Sequence, residues 1–500
     1  MAGLVFAAGW PGWLLSIALL PWFYYASQPK TNWYQGLWLA VWFFLPFHAV
    51  VLSWFLDTNV SSLIGAGPGM ALFAQIFSWL LMTVILTLCM LPLGYVVYRL
   101  RPLAARPVPF TWLLLPAAWV LCEWLRSIGF SLFLYGRGAT IGDYWNFGSF
   151  GLGLMNTPLA YLSRLIGMYG LSFLTVLLTL ALGRALFRRK YNPFAFVLAS
   201  TLVLSLLVVL VTNRQNRTDS KAPPHPASVL QRSIDLASDY RADTPIRNRS
   251  ADKKDLIVLP EYSEAFDPGA TVFSDTFVTQ RLAIGGISVD VDRGRTQKWY
   301  GTLEFRDYRG QVVHHNTKQL LIPTGEYLPY IFTSFYQLTG QQHIVDRFEE
   351  YRRVYKGDPP AIYRTPQFIV GPVACSGILG RPIYQKLTRD GATVLTNSAS
   401  LVDFNGSKSY FRQSILMARF HAIANNRLFI QSTRGAPAFV LDNDGRYIVR
   451  PAGSDTRFID FSFHSLSAKT IYTRVGEWPL LGSFGIVGVV VLEVIRKHRS

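Results

Sequence analysis

The chain has 500 residues, with 48 Lys and Arg against 30 Asp and Glu, a formal net charge of +18. Half of it is hydrophobic, 14% is aromatic and only 16% is charged, at a mean hydropathy of +0.24. That balance excludes a disordered chain and a wholly soluble one, and three widely spaced cysteines exclude a disulfide scaffold or a Cys-rich zinc module.

Seven apolar stretches approach or exceed the roughly 18–20 residues that span a bilayer. They lie at 3–26, 36–56, 70–98, 108–126, 159–187, 193–212 and 479–495. The first contains Gly9-Trp10-Pro11-Gly12-Trp13 and reads as a broken helix or hairpin; it lacks the basic start of a cleaved signal peptide. Residues 127–158 are rich in Gly and aromatics and read as a loop or interfacial segment. Near its start, Glu123 and Arg126 read as an interfacial ion pair or a lipid-headgroup contact.

Before residue 213 the only acids are Asp57, Glu123 and Asp143. Bases cluster at Arg99, Arg101 and Arg106, at Arg184, Arg188, Arg189 and Lys190, and at Arg496, Lys497 and Arg499. Each cluster ends an apolar stretch. With all three placed in the cytoplasm, the spans alternate without conflict, and the N-terminus and residues 213–478 fall outside. The basic excess then reports topology and anionic lipid rather than nucleic acid.

Composition changes at about residue 213, where NRQNRTDSKAPPHP reads as a linker. β-like runs follow: ASVLQRSI, KDLIVLP, GGISVDV, GTLEFRD, QFIVGPVAC, ATVLTNS, LFIQST and AFVLDNDGRYIV. Helical pieces fall around 239–250, 345–356, 378–390 and 409–426. The alternation predicts one α/β domain. The predicted division is an N-terminal transmembrane bundle of about six spans over 1–212, an extracytoplasmic α/β domain over 213–478, and a transmembrane helix with a basic tail over 479–500. Asn443-Asp444-Gly445 marks a hairpin turn.

Cys89 and Cys122 fall in apolar stretches and read as small buried residues. Cys375 stands alone in the α/β segment, where it reads either as an inert buried thiol or as a reactive one. Three stretches place a reactive side chain after a β-like run: Glu261 in DLIVLPEYSEAF, Lys318 with Glu326 in HHNTKQLLIPTGEYLPY, and Cys375 in QFIVGPVACSG. Brought together, a Glu base, a Lys and a Cys nucleophile make a thiolate acyl-transfer site. Taken singly, Glu261 and Lys318 also read as surface charges and Glu326 as a turn residue after Gly325. His314, His315 and His421 lack an acidic or Cys partner at metal spacing and read as structural or exposed.

The three stretches, in this order, resemble the Glu–Lys–Cys signature of the nitrilase superfamily, and the flanking spans narrow the resemblance to the apolipoprotein N-acyltransferases. FFLPFHAVVLSWF, WLLLPAAWVLCEWLRSIGF and YLSRLIGMYGLSFLTVLL resemble that family's spans and interfacial segments, and LIPTGEYLP and MARFHAIANNRLFIQSTRGAPAFVLDNDGRYI resemble its domain motifs. The resemblance implies a transmembrane bundle plus an α/β nitrilase-like α-β-β-α sandwich. It implies that Glu261 is the base, Lys318 the oxyanion-side lysine, Cys375 the nucleophile and Glu326 the second essential acid. The implied reaction moves an acyl chain from a membrane phospholipid, through a Cys thioester, to the α-amino group of diacylglyceryl-cysteine on an apolipoprotein. It needs no metal or dissociable cofactor and takes place on the outer face of the bacterial cytoplasmic membrane, in a monomer.

The chain departs from the family at several positions. Cys-Tyr-Glu is here Cys375-Ser376-Gly377, WPE is Leu259-Pro260-Glu261, the aromatic of PFGE is Thr324, a His two residues after the lysine is Leu320, and NDAWF is Asn397-Ser398-Ala399-Ser400-Leu401. The family has eight spans against the seven counted here. The departures leave room for a membrane-tethered amidase or an acyltransferase for another amine, or for an inactive lipoprotein-binding relative.

Overall fold

The computed structural model describes every residue except 27–31, 61–66, 105–110, 190, 218, 233–253, 262–281, 293–296, 308, 310, 352, 454 and 500. Among the described residues, five helical stretches are long and apolar enough to cross a membrane: Trp33–Asp57, Pro68–Tyr98, Trp112–Phe133, Pro158–Phe187 and Asn192–Asn216. They coincide with five of the seven apolar stretches. The final one forms the helix Trp478–Arg499, whose apolar part, Trp478–Leu492, is shorter. The first is broken as its Gly and Pro demand: helices Ala2–Ala7 and Leu14–Ala26 flank a turn in which Gly9 takes φ 73°.

The helix Asn192–Asn216 leaves most of its apolar surface open. A helix without a polar face is matched to lipid rather than to water. By contrast, Ser163–Arg188 packs against several bundle helices and against the helix Lys408–Asn425 of the α/β part.

Among the described residues, the α/β part holds twelve strands: β1 (His225–Arg232), β2 (Leu256–Glu261), β3 (Leu282–Asp292), β4 (Gln297–Asp307), β5 (Val312–Thr317), β6 (Tyr363–Arg364), β7 (Ile369–Ala374), β8 (Val394–Ser400), β9 (Leu428–Arg434), β10 (Phe439–Leu441), β11 (Tyr447–Val449) and β12 (Arg457–Phe463). They form one sheet in the order β5-β4-β3-β2-β1-β9-β8-β7-β6, with β12 on β1 and the β10–β11 hairpin on β9. β3-β2-β1-β9-β8-β7 is parallel throughout. Parallel strands covered on both faces read as unbroken apolar runs, as LIVLP of β2 does.

The sheet curls until β4 lies against β7. A second apolar core, including Ile284, Phe305, Val370 and Ile430, fills the space between its two halves. This supplies the two β layers of the expected sandwich. Helices Arg381–Asp390 and Lys408–Asn425 supply an outer layer over β7–β9. The helix expected at 239–250 lies outside the described residues. The DNDG hairpin forms as expected, with Gly445 at φ 74°.

Candidate active site

β2, β5, β7 and β8 all point the same way, because β4 runs antiparallel to both β3 and β5. Their carboxyl ends therefore share one edge of the sheet. Glu261 closes β2. Pro260, just before it, has no N–H to give the ladder, and the register with β3 shifts between Val258 and Glu261. The strand ends there and Glu261 is only 5% exposed.

Lys318 follows β5. Its N–H donates to the Gly301 carbonyl at 2.7 Å, and its stem runs over Gly301, where a Cβ would sit 3.3 Å from the lysine Cβ and Cδ. Lys318 Nζ donates to Glu326 Oε1 at 2.6 Å and to Glu261 Oε1 at 3.4 Å. Glu326 is delivered by a tight turn in which Thr324 takes φ 63° and Glu326 N–H donates to the Ile322 carbonyl. Its second oxygen accepts from Ile322 N–H at 2.8 Å. Burial holds the Glu326 carboxyl above its usual range, while Lys318 pulls it back and Glu261 adds to the rise.

Cys375 opens a 3-10 turn, Cys375–Leu379, directly after β7, at φ 42°. Such a left-handed backbone is uncommon for a side chain other than Gly or Asn. Here the neighbours impose it. Asn397 Nδ2 donates to the Cys375 carbonyl at 3.2 Å, the Ser376 hydroxyl donates to the Leu320 carbonyl, and Gly377 is packed so closely that a Cβ would lie 2.0 Å from Val373 Cγ1. The Cys375 sulfur lies 3.8 Å from the Ser400 carbonyl oxygen, while Ser400 N–H donates to Glu261 Oε2 at 3.2 Å. One residue at the end of β8 thus touches both side chains. Burial, then the Glu261 carboxylate, pushes the thiol well above its usual range, against the pull of Lys318.

All four residues line one cavity of about 470 Å³. The opposite wall is apolar and comes from the bundle and its loops, including Trp54, Met82, Phe130 and Phe147. The structure therefore brings Glu261, Lys318, Glu326 and Cys375 together, and it backs them onto the apolar helices. In the sequence, Ser400 and Asn397 stand out only within the departure from NDAWF, without a role. Both act on the group through geometry that strand pairing creates, and neither leaves a local signal.

Cys89 and Cys122 are free thiols away from this cavity. His421 is buried on the Ile378 carbonyl, with its pKa lowered to about 3 by burial, and His314 stacks between Phe305 and Tyr363. Glu123 and Arg126 differ from expectation. Both are 1% exposed inside the bundle, which leaves no surface for a headgroup contact. Glu123 accepts from Trp119 Nε1, Ser149 Oγ, Phe150 N–H and Ser172 Oγ, and Arg126 Nη1 meets His48 Nε2 at 3.3 Å. The segment that follows the helix folds back on it, through Ser131 Oγ to the Gly142 carbonyl, Trp145 N–H to Ser127 Oγ and Ser149 Oγ to Glu123. The same segment joins the two parts of the molecule: Asp143 pairs with Arg381 at 2.5 Å, and Thr140 Oγ1 donates to the Gln319 carbonyl.

Residues 1–181 match the apolipoprotein N-acyltransferase N-terminal domain. The chain is 24% identical over 402 residues to an apolipoprotein N-acyltransferase of Rhizobium rhizogenes, covering 74% of this chain and 71% of that one. It is 23% identical to that of Photobacterium profundum, covering 98% and 92%. Among solved structures, it is similar to a carbon-nitrogen hydrolase from Helicobacter pylori, at 17% identity and a TM-score of 0.36, covering 52% of this chain and 94% of that one. From its apolar N-terminal helices through its α/β part, the chain is similar to apolipoprotein N-acyltransferases.

Proposed function

We propose that the chain is a membrane-embedded N-acyltransferase that takes an acyl chain from a phospholipid onto Cys375 and passes it to the α-amino group of a diacylglyceryl-cysteine on a lipoprotein. The observation that carries this reading is the single cavity: a Cys, a Lys and two Glu on one side, an apolar wall of membrane helices on the other. A soluble amide substrate does not require such a wall, and a lipid does. The relatives' names supply the acceptor class.

In the proposed reaction Cys375 rests as a thiol, because burial and Glu261 raise its pKa. Attack must therefore be coupled to proton removal. Glu261 takes the proton as the sulfur bonds to the ester carbonyl carbon. Lys318 neutralises the growing negative charge and is itself held in place by Glu261 and Glu326. The ester C–O bond breaks, the proton passes to the leaving oxygen, and lysophospholipid departs. The acceptor amine then attacks the thioester, an amide forms, the S–C bond breaks and the thiol returns.

The proposed layout keeps the bundle at 1–212, the domain at 213–478 and the last span at 479–500. The domain lies outside the cytoplasmic membrane and the three basic clusters lie inside. The Ser376-Gly377 departure favours, as a second reading, an acyltransferase for another amine. Labelled phospholipid and a diacylglyceryl-cysteine peptide separate the two. Lipid label on Cys375 that transfers to the peptide supports the first, whereas label that transfers only to other amines supports the second. No label supports an amidase or an inactive relative.

A further inference from the structure

A phenol completes the wall of the cavity that holds Cys375. Tyr410 is 4% exposed and lines the same cavity as Cys375, Lys318 and Glu261. It sits in the first turn of the helix Lys408–Asn425, whose N-cap Ser407 accepts from Tyr410 N–H. That helix start is pinned to the bundle, since Ser407 Oγ donates to Asp57 at 2.6 Å and Ser53 Oγ donates to Ser409 at 3.4 Å. The ring is fixed by three aromatics from three segments. It stacks on Phe404 at 3.8 Å between centroids, and meets Trp54 at 5.2 Å and Phe147 at 6.3 Å.

Its hydroxyl has no hydrogen-bond partner among the described residues. Tyr384 also carries a partnerless hydroxyl, but that one is sealed in the core, and Tyr384 does not line the cavity. A buried phenol normally finds a partner, because an unpaired buried hydroxyl has lost its water without replacing it. Tyr410 instead lines the cavity that also holds Cys375, where an acyl group bonded to the sulfur has to sit. Cys375 and Lys318 are the charged groups that act on it. Lys318 is committed to both Glu261 and Glu326, and a phenol in the same cavity is a neutral donor beside it.

We propose that Tyr410 is a further catalytic residue, whose hydroxyl donates a hydrogen bond to the carbonyl oxygen of the acyl group as it bonds to Cys375. This rests on Cys375 being acylated, and not on the natural donor being a phospholipid. In the step, the thiol proton goes to Glu261 and then to the leaving oxygen, the S–C bond forms and the ester C–O bond breaks. The tyrosine proton stays on its oxygen.

The test uses the full-length protein in detergent with p-nitrophenyl octanoate, which acylates an activated thiol whatever the natural donor. The burst of p-nitrophenol gives the acylation rate. Tyr410→Phe keeps the ring stack and removes only the hydroxyl. Acylation should slow roughly 100- to 1,000-fold, the range for loss of one donor to a developing oxyanion, with the ester concentration at half-maximal rate little changed. A purely structural tyrosine would leave the maximal rate unmoved. Phe404→Leu, which loosens the stack but keeps the hydroxyl, should slow acylation less than Tyr410→Phe does. An unchanged burst rate in Tyr410→Phe overturns the proposal. So does a parent protein that gives no burst, because there is then no acyl-Cys375 for Tyr410 to serve. A parent that bursts with this ester but takes no label from phospholipid overturns the proposed lipid donor and leaves the Tyr410 result to stand on its own.

Discussion

At the scale of single residues, the site separates basicity from reactivity. Glu261 raises the Cys375 pKa and yet is the group placed to remove its proton. Glu261→Gln should therefore shift two observables in opposite directions. Removing the carboxylate's charge lowers the thiol pKa towards its usual value near 8.5, so alkylation by iodoacetamide at pH 8 should quicken. Acylation by ester should slow by about 10²- to 10⁴-fold, the usual contribution of a general base. If both rates fall together, Glu261 serves the fold and not the proton. Lys318→Met should raise the thiol pKa further and slow both reactions. Glu261 and Cys375 were legible at the ends of apolar β-like runs, whereas Lys318 and Glu326 follow a half-polar strand and were legible through the order and spacing of their motif. Ser400, Asn397 and Tyr410 were not legible. Their roles come from backbone register, a carbonyl contact and an aromatic stack, none of which has a sequence spacing.

At the scale of elements, the apolar strands β1–β4 and β7–β11 announced themselves by their β-branched and aromatic runs. β5 did not: its VVHHNT is half polar because the strand is the free edge of the order and exposes one face. β12, RFIDFSF, is equally hard to read, because it pairs antiparallel along β1 with most of its residues exposed or half-buried. The turn after β7 is the most constrained element. The resemblance places a Glu where Gly377 stands, yet a Cβ there meets Val373 at 2.0 Å. The departure is thus built into the packing. Gly377→Ala should destabilise the protein by about 1–3 kcal/mol, the range for overpacking a close-fitted core, and should lower acylation by displacing Cys375. Measured unfolding temperature and burst rate, both unchanged, would contradict the packing argument.

At the scale of the whole molecule, the membrane bundle and the sheet are joined through buried charge. Arg381, six residues beyond Cys375, pairs with Asp143 of the bundle loop and with Glu477 at the start of the last helix, and lies over the Tyr169 ring at 4.5 Å. Glu477 in turn accepts from the Met168 and Tyr169 N–H groups, where Gly167, at φ 64°, breaks the helix. Arg381→Met strands two carboxylates in this junction and should cost about 3–5 kcal/mol. The cost would be seen as a lower unfolding temperature in detergent, and retention of the parent temperature would mean that the junction is held elsewhere. The basic clusters made the topology readable from sequence, but the docking of sheet on bundle was not, because Arg381 lies 238 residues from Asp143 and 96 from Glu477. A reporter fused after Ser500 should be active only in the cytoplasm, and one inserted near Asn216 only outside; the reverse pattern would invert the proposed orientation.

The most direct measurement of the proposed chemistry is the intact mass of the purified protein, and of the peptide carrying Cys375, after exposure to phospholipid vesicles without acceptor. The expected result is the added mass of one fatty acyl group on Cys375, removed by hydroxylamine and absent in Cys375→Ser. An unmodified Cys375, or an acyl group found on another residue, would contradict a thioester route through this cavity.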